Sequence, residues 1–169
     1  MKIALLSDLH LSVQPLEPPH TDADVVVLAG DLQRPAQGIA WARQFNRPTL
    51  YVAGNHEFYD SDLVSTMALL RQQAEGSQVR VLEREEWRSG GARFLGCTLW
   101  SDYRLFDSPE QREEGLQKAQ AFVRDFSRIG VAPDFPDRFT PAISQMLFDQ
   151  SVAWLEDRFD EPFDGPTVV

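Results

Sequence analysis

Three short apolar runs, each breaking off into a polar turn, constrain this chain more than any other feature. Ile3-Ala4-Leu5-Leu6 runs into Ser7-Asp8-Leu9-His10, Val25 to Ala29 into Gly30-Asp31, and Thr49 to Ala53 into Gly54-Asn55-His56-Glu57. Continuous apolar runs bounded by turn residues read as strands of a sheet covered on both sides. A Gly at the end of a strand lets the backbone turn sharply. Open α/β sheets place ligands at the carboxyl edge of their strands. The three turns therefore deliver Asp8, His10, Asp31, Asn55 and His56 toward one edge, at intervals of 23 residues (Asp8 to Asp31) and 24 residues (Asp31 to Asn55).

The rest of the pattern fits a sheet flanked by helices. Pro15, Pro18 and Pro19 make residues 12–21 a loop, with His20 a solvated side chain in it. Residues 22–29 form the second strand, 35–45 a helix with Pro35 in its first turn, and 49–53 the third strand. That order argues the α/β class with largely parallel connections. A helix follows over 61–73, capped by Ser61, with Leu63, Met67 and Leu70 on one face. After a short strand at 79–82 the rhythm changes, because 85–88 and 92–97 flank Ser89-Gly90-Gly91, a hairpin signal. Trp100, Tyr103 and Phe106 lie in an irregular stretch, 98–107, readable as a loop over the core or as one wall of a substrate pocket. One long helix is expected over 109–128, with Glu110, Glu113 and Glu114 near its start. Another runs from Thr140-Pro141 to about Phe159, with Ile143, Leu147, Ser151 and Trp154 or Leu155 facing inward. Thr167-Val168-Val169 begins a last apolar strand.

At 169 residues the chain suffices for one domain with a sizeable core. Its formal net charge is −10, from 16 Lys plus Arg against 26 Asp plus Glu. Such a surface repels nucleic acid and anionic membranes, and with Lys only at Lys2 and Lys118 no basic stripe offsets it. A small phosphorylated substrate is the favoured partner and nucleic acid a lesser one, with attraction of the phosphate left to a bound cation. The single cysteine, Cys97, permits no internal disulfide, which suits a reducing compartment. It sits in Phe94-Leu95-Gly96-Cys97 and reads as a buried small residue. No run approaches transmembrane length, so the expectation is a soluble cytoplasmic protein.

Carboxylate, imidazole and amide oxygen together suit borderline divalent metals such as Mn²⁺, Fe²⁺, Co²⁺ or Zn²⁺, and they lack the thiolates of a structural zinc site. Asp8 and His10, one residue apart, can point the same way and reach one ion. Asp31 has two oxygens and can bridge two ions. Asn55 can bind the second through its amide oxygen, while His56 stays off the metal. Two ions about 4 Å apart can clamp a phosphate and activate a water, and His56 can give a hydrogen bond or a proton to the leaving group. In the bland alternative, Asp31 and Asn55 are turn residues and the histidines line a polar edge.

Asp8-x-His10, Gly30-Asp31 and Gly54-Asn55-His56-Glu57 resemble the first three motifs of the calcineurin-like metallophosphoesterase superfamily, over residues 1 to about 60. Gly96-Cys97-Thr98-Leu99-Trp100 is similar to a segment of some small bacterial members. The resemblance implies a β-sandwich of two sheets flanked by helices. It implies one metal on Asp8, His10 and Asp31, a second on Asp31 and Asn55, and His56 at the leaving group, with Mn²⁺ the first metal to try. The implied activity is hydrolysis of phosphomonoesters or phosphodiesters.

The chain departs from the family twice. The family often has an acidic residue three positions after the Gly-Asp aspartate, where this chain has Arg34. The family also takes further histidine ligands from a Gly-His or His-His motif and from Gly-His-x-His, and with only His10, His20 and His56 this chain has neither. The expectation is one metallophosphoesterase-like domain over 1–169, cut after Val169, with weak metal binding and little or no hydrolysis. A site completed by another chain is an alternative. So is a non-catalytic binding or assembly module that associates through an exposed sheet edge.

Overall fold

A computed structural model describes residues 1–169. The apolar runs form β1 (Ile3–Leu6), β2 (Val25–Ala29) and, after α1 (Pro35–Ala42), β3 (Thr49–Val52). The two-residue β4 (Ser61–Asp62) leads into α2 (Leu63–Ala74) and β5 (Val79–Val81). The hairpin β6 (Glu85–Ser89) and β7 (Ala92–Gly96) follows, then α3 (Pro109–Phe122), α4 (Asp125–Arg128) and the short β8 (Ile129–Gly130). The chain closes with α5 (Pro141–Asp160) and β9 (Thr167–Val168). The protein is thus mixed α/β, with a parallel sheet and five α-helices. No helix is long and apolar enough to cross a membrane.

The main sheet is parallel throughout, in the order β1-β2-β3-β5, and its register runs Leu6↔Leu28↔Tyr51↔Val81. All three site-bearing strands therefore end on the same side. Side chains alternate across the sheet. Val26, Leu28, Tyr51 and Val81 join Ile39 and Ala42 of α1 and Leu70 of α2 in the larger core cluster. Val25 and Leu50 turn the other way and meet Ala92 and Phe94 of β7, with Val27, Val52, Trp87 and Val168 packed around them. Helices thus cover one face, and the sheet β6-β7-β9, in which β9 runs parallel to β7, covers part of the other.

Several expectations change. The main sheet is not covered on both sides along its length: at the β1 edge Ile3 is 41% exposed and Leu5 66%. The helix expected over 61–73 starts two residues later, because Asp62 rather than Ser61 accepts the cap bond, from Ser65 N–H at 2.7 Å. The helix expected over 109–128 is two helices. Val123 is extended (φ −80°, ψ 122°), and the chain re-enters helix at Asp125. Thr140 caps α5 as expected, accepting from Ile143 N–H, and Ser151 is fully buried on its inner face. Trp100 packs against Phe58 and Phe139, and Tyr103 against Phe126, so these aromatics belong to the core while also lining a cavity. Phe106 is exposed.

Candidate active site at the strand ends

The parallel register sets β2 and β3 side by side, and the turns after them touch. Gly30 has φ +86°, and a Cβ on it would lie 2.8 Å from the Gly54 backbone. A Cβ on Gly54 would run into the Asp31 carboxylate and lie 2.7 Å from the Asp31 backbone nitrogen. The two glycines are therefore required by close approach of backbone to backbone. The loop after β1 is laced to the same place by Asp8 N–H to Gly30 C=O (3.0 Å) and His10 N–H to Asp31 C=O (2.9 Å). Asp8, His10 and Asp31 all have positive φ (55°, 43° and 56°). Non-glycine residues rarely adopt this conformation, and it concentrates at functional sites.

Glu57 holds this arrangement from beneath. It is 1% exposed. Its carboxylate accepts from the backbone N–H of Asp31 (3.0 Å), Leu32 (2.7 Å) and Gly54 (2.8 Å), and from the Tyr51 hydroxyl (3.0 Å). Four donors satisfy the buried group and tie the ends of β2 and β3 together. Burial, and then Glu57, pushes the Tyr51 phenol well above its usual range.

Above this base, His10, Asp31 and His56 each present one ligand atom, and those atoms lie within 4.8 Å of one another. His10 Nε2 and His56 Nε2 are each 4.0 Å from Asp31 Oδ2. Asp31 Oδ1 is engaged separately, by the His56 backbone N–H at 2.9 Å. The imidazoles meet edge to face at 4.6 Å. His56 thus stands inside the compact cluster, where the sequence reading kept it off the metal. Asp8 stands outside it: its carboxylate is exposed and accepts from the Ser7 hydroxyl.

Asn55 also faces elsewhere. Its amide nitrogen donates to Asp125 Oδ1 at 2.8 Å, and the Tyr59 hydroxyl donates to the same oxygen at 2.7 Å. Burial, and then Asp125, pushes the Tyr59 phenol up to about 12. With the nitrogen so bound, the amide oxygen is the free end of Asn55. His20 lies in the exposed loop, as expected.

Two openings meet at Asp31. One, about 740 Å³, is bordered by Asp8, Asp31, Asn55 and Asp125 and runs back between the sheets along Leu5, Val27, Leu50, Phe94 and Val168. The other, about 270 Å³, is bordered by His10, Asp31, His56, Tyr59, Arg34 and Arg128. Helix α4 serves both, with Asp125 at its first position and Arg128 at its last. The sequence reading gave no role to Glu57, Tyr59, Asp125 or Arg128. For Glu57 a signal existed, an acidic residue directly after the site histidine in a run whose next residues are apolar. For Asp125 and Arg128 there was none, since their partners lie more than sixty residues away.

No protein-family model matches the chain, and no curated protein matches it. Among solved structures, one chain superposes with a TM-score of 0.47 at 9% sequence identity, over 89% of this chain and 80% of its own.

Proposed function

We propose that this chain is a metal-dependent phosphoesterase domain of the calcineurin-like kind, cytoplasmic, with its two larger sheets forming the corresponding sandwich. The observation that carries the reading is the convergence of His10, Asp31 and His56 at the carboxyl ends of parallel strands. Two imidazoles and one carboxylate are a donor set for a borderline divalent ion such as Mn²⁺, and their mutual spacing fits one ion between them. A bound ion supplies Lewis-acid polarisation of a phosphoryl oxygen and an ionised water at neutral pH. Asp8 and the free oxygen of Asn55, across Asp31 from this cluster, are the residues to hold a second ion.

The chain's own groups do the rest. Glu57 fixes the backbone that carries Asp31, and the His56 N–H occupies Asp31 Oδ1, which leaves Oδ2 toward the two imidazoles. His56 has two possible roles, ligand by its place in the cluster and proton donor by its position at the mouth of the smaller opening. A His56→Ala variant separates them: loss of Mn²⁺ binding makes it a ligand, and loss of turnover with Mn²⁺ retained makes it the donor.

The test of the reading is hydrolysis of p-nitrophenyl phosphate. We expect weak, Mn²⁺-dependent turnover that disappears with Asp31→Ala. Turnover that ignores both metal and Asp31 would contradict it. A second reading, an assembly module without catalysis, draws on the exposed Ile3 and Leu5 along the free edge of β1. Concentration-dependent association without any turnover would favour it.

A further inference from the structure

The smaller opening does not share the acidic charge of the chain around it. In a chain of net charge −10, it is bordered by Arg34 and Arg128 as well as by the two histidines, and its one acidic wall residue is Asp31. Both guanidiniums are held by a single carboxylate. Arg34 Nη2 and Arg128 Nη2 each reach Asp60 Oδ2 at 2.5 Å, and Arg128 Nε reaches Oδ1 at 3.1 Å. Arg34 Nη1 also donates to the Tyr59 carbonyl. Asp60 does not border the opening. One carboxylate against two guanidiniums leaves one positive charge, which balances the Asp31 carboxylate on the same wall, so the opening is neutral in a chain that is acidic as a whole.

The pair is also held in place. Arg128 lies over the Tyr59 ring at 4.5 Å, and His56 stacks on the same ring at 4.4 Å. Asp60 has φ +61°, so the backbone takes up an unfavourable conformation where the shared carboxylate is presented. Each guanidinium has five N–H donors, and the bonds above leave several unused on both. At about 270 Å³ the opening has room for a small anion and little of a leaving group.

We propose that this opening takes the terminal phosphate of a phosphomonoester, with Arg34 and Arg128 as its anchors. This deepens the phosphoesterase reading and rests on it for the reaction, though not for the binding. A phosphomonoester has close to two negative charges at pH 7 and three terminal oxygens, whereas a diester has one charge and two such oxygens. Planar guanidinium forks match phosphate oxygens in geometry. Two of them beside the histidine–aspartate cluster favour the more charged group.

The test is an NMR titration of the metal-free protein with inorganic phosphate, then with phenyl phosphate and diphenyl phosphate. We expect phosphate and phenyl phosphate to bind in preference to the diester, with Arg34→Ala and Arg128→Ala each weakening binding about tenfold. Both arginines also brace the loop, so Asp60→Asn is the decisive companion. It breaks the same ion pairs and keeps both cations. An anion site predicts that Asp60→Asn binds phosphate as tightly as the wild type or more so, whereas a bracing role alone predicts that it loses binding as the arginine variants do. Equal binding of monoester and diester, or unchanged phosphate binding in the Arg34→Ala/Arg128→Ala double variant, would overturn the proposal. Failure of the wild type to bind Mn²⁺ would sink the metal reading and leave this one to stand on the phosphate titration.

Discussion

The two openings that share Asp31 differ in almost every respect. The larger is a cleft between sheets, walled mainly by apolar residues such as Leu5, Val27, Leu50, Phe94 and Val168. The smaller is mostly polar, bordered by two histidines and two arginines. The cleft is what packing leaves when one face of a parallel sheet is partly covered. The smaller opening is built mostly from loop and turn residues, two of them, His10 and Asp31, with left-handed backbone, and from side chains drawn from far apart in sequence. Left-handed backbone borders both, at His10 and Asp31 in the smaller opening and at Asp8, Gly30, Asp31 and Tyr103 in the cleft, so the two differ in size and polarity and not in backbone.

That contrast can be broken most severely from beneath. Glu57→Ala leaves the Asp31, Leu32 and Gly54 N–H groups and the Tyr51 hydroxyl without their acceptor, at a cost of about 3–5 kcal/mol. Denaturant unfolding should show the loss, and both openings should fail together. A variant as stable as the wild type would mean that the strand ends are held by something else. A smaller effect is expected from Asp125→Ala, which strips the acceptor from Asn55 on the cleft and from Tyr59 at the border of the smaller opening. It should cost about 1–3 kcal/mol and leave Mn²⁺ binding at His10, Asp31 and His56 nearly unchanged. A collapse of metal affinity would show that the two sides of Asp31 are one site.

The smallest effect concerns Cys97, which lines the cleft. Burial first, and then the nearby Glu83 carboxylate, raises its thiol above the ordinary range. The thiolate is the reacting form, so iodoacetamide should modify Cys97 more slowly at pH 8 than it modifies an ordinary thiol of pKa about 8.5. The rate should climb as the pH is taken above that value. Fast reaction at pH 8 would mean that the cleft is open to water and that Cys97 is more than filler.

Much of this architecture was legible. The runs before Asp8, Asp31 and Asn55 are apolar enough to be strands, and the order of elements between them allows little but parallel pairing. The hairpin at Gly90-Gly91 and the Thr140-Pro141 helix start were equally plain, because turn and cap chemistry is local. What escaped depends on distant contacts. Nothing in Gln120 to Arg128 announces a break, and the extended Val123 makes sense only once Asp125 is seen against Asn55. The open face of β1 could not be read from Ile3 to Leu6, because an apolar run looks the same whether or not a layer covers it. In the site, sequence brought five candidate residues to one edge but could not divide them between two openings. That division depends on side-chain direction at turns: Asp8, His10 and Asp31 have positive φ, and a 3₁₀ turn over His56–Phe58 carries His56 into the compact cluster while Asn55 turns to Asp125.

The central claim is that His10, Asp31 and His56 hold a divalent ion. The chain has three histidines, so their ring signals in an NMR spectrum can be assigned by single substitution, and Mn²⁺ broadens whatever lies close to it. The account predicts that a substoichiometric addition of Mn²⁺ broadens the rings of His10 and His56, spares His20, and broadens none of the three in Asp31→Ala. Broadening of all three alike, or of none, or broadening that persists without Asp31, would contradict it.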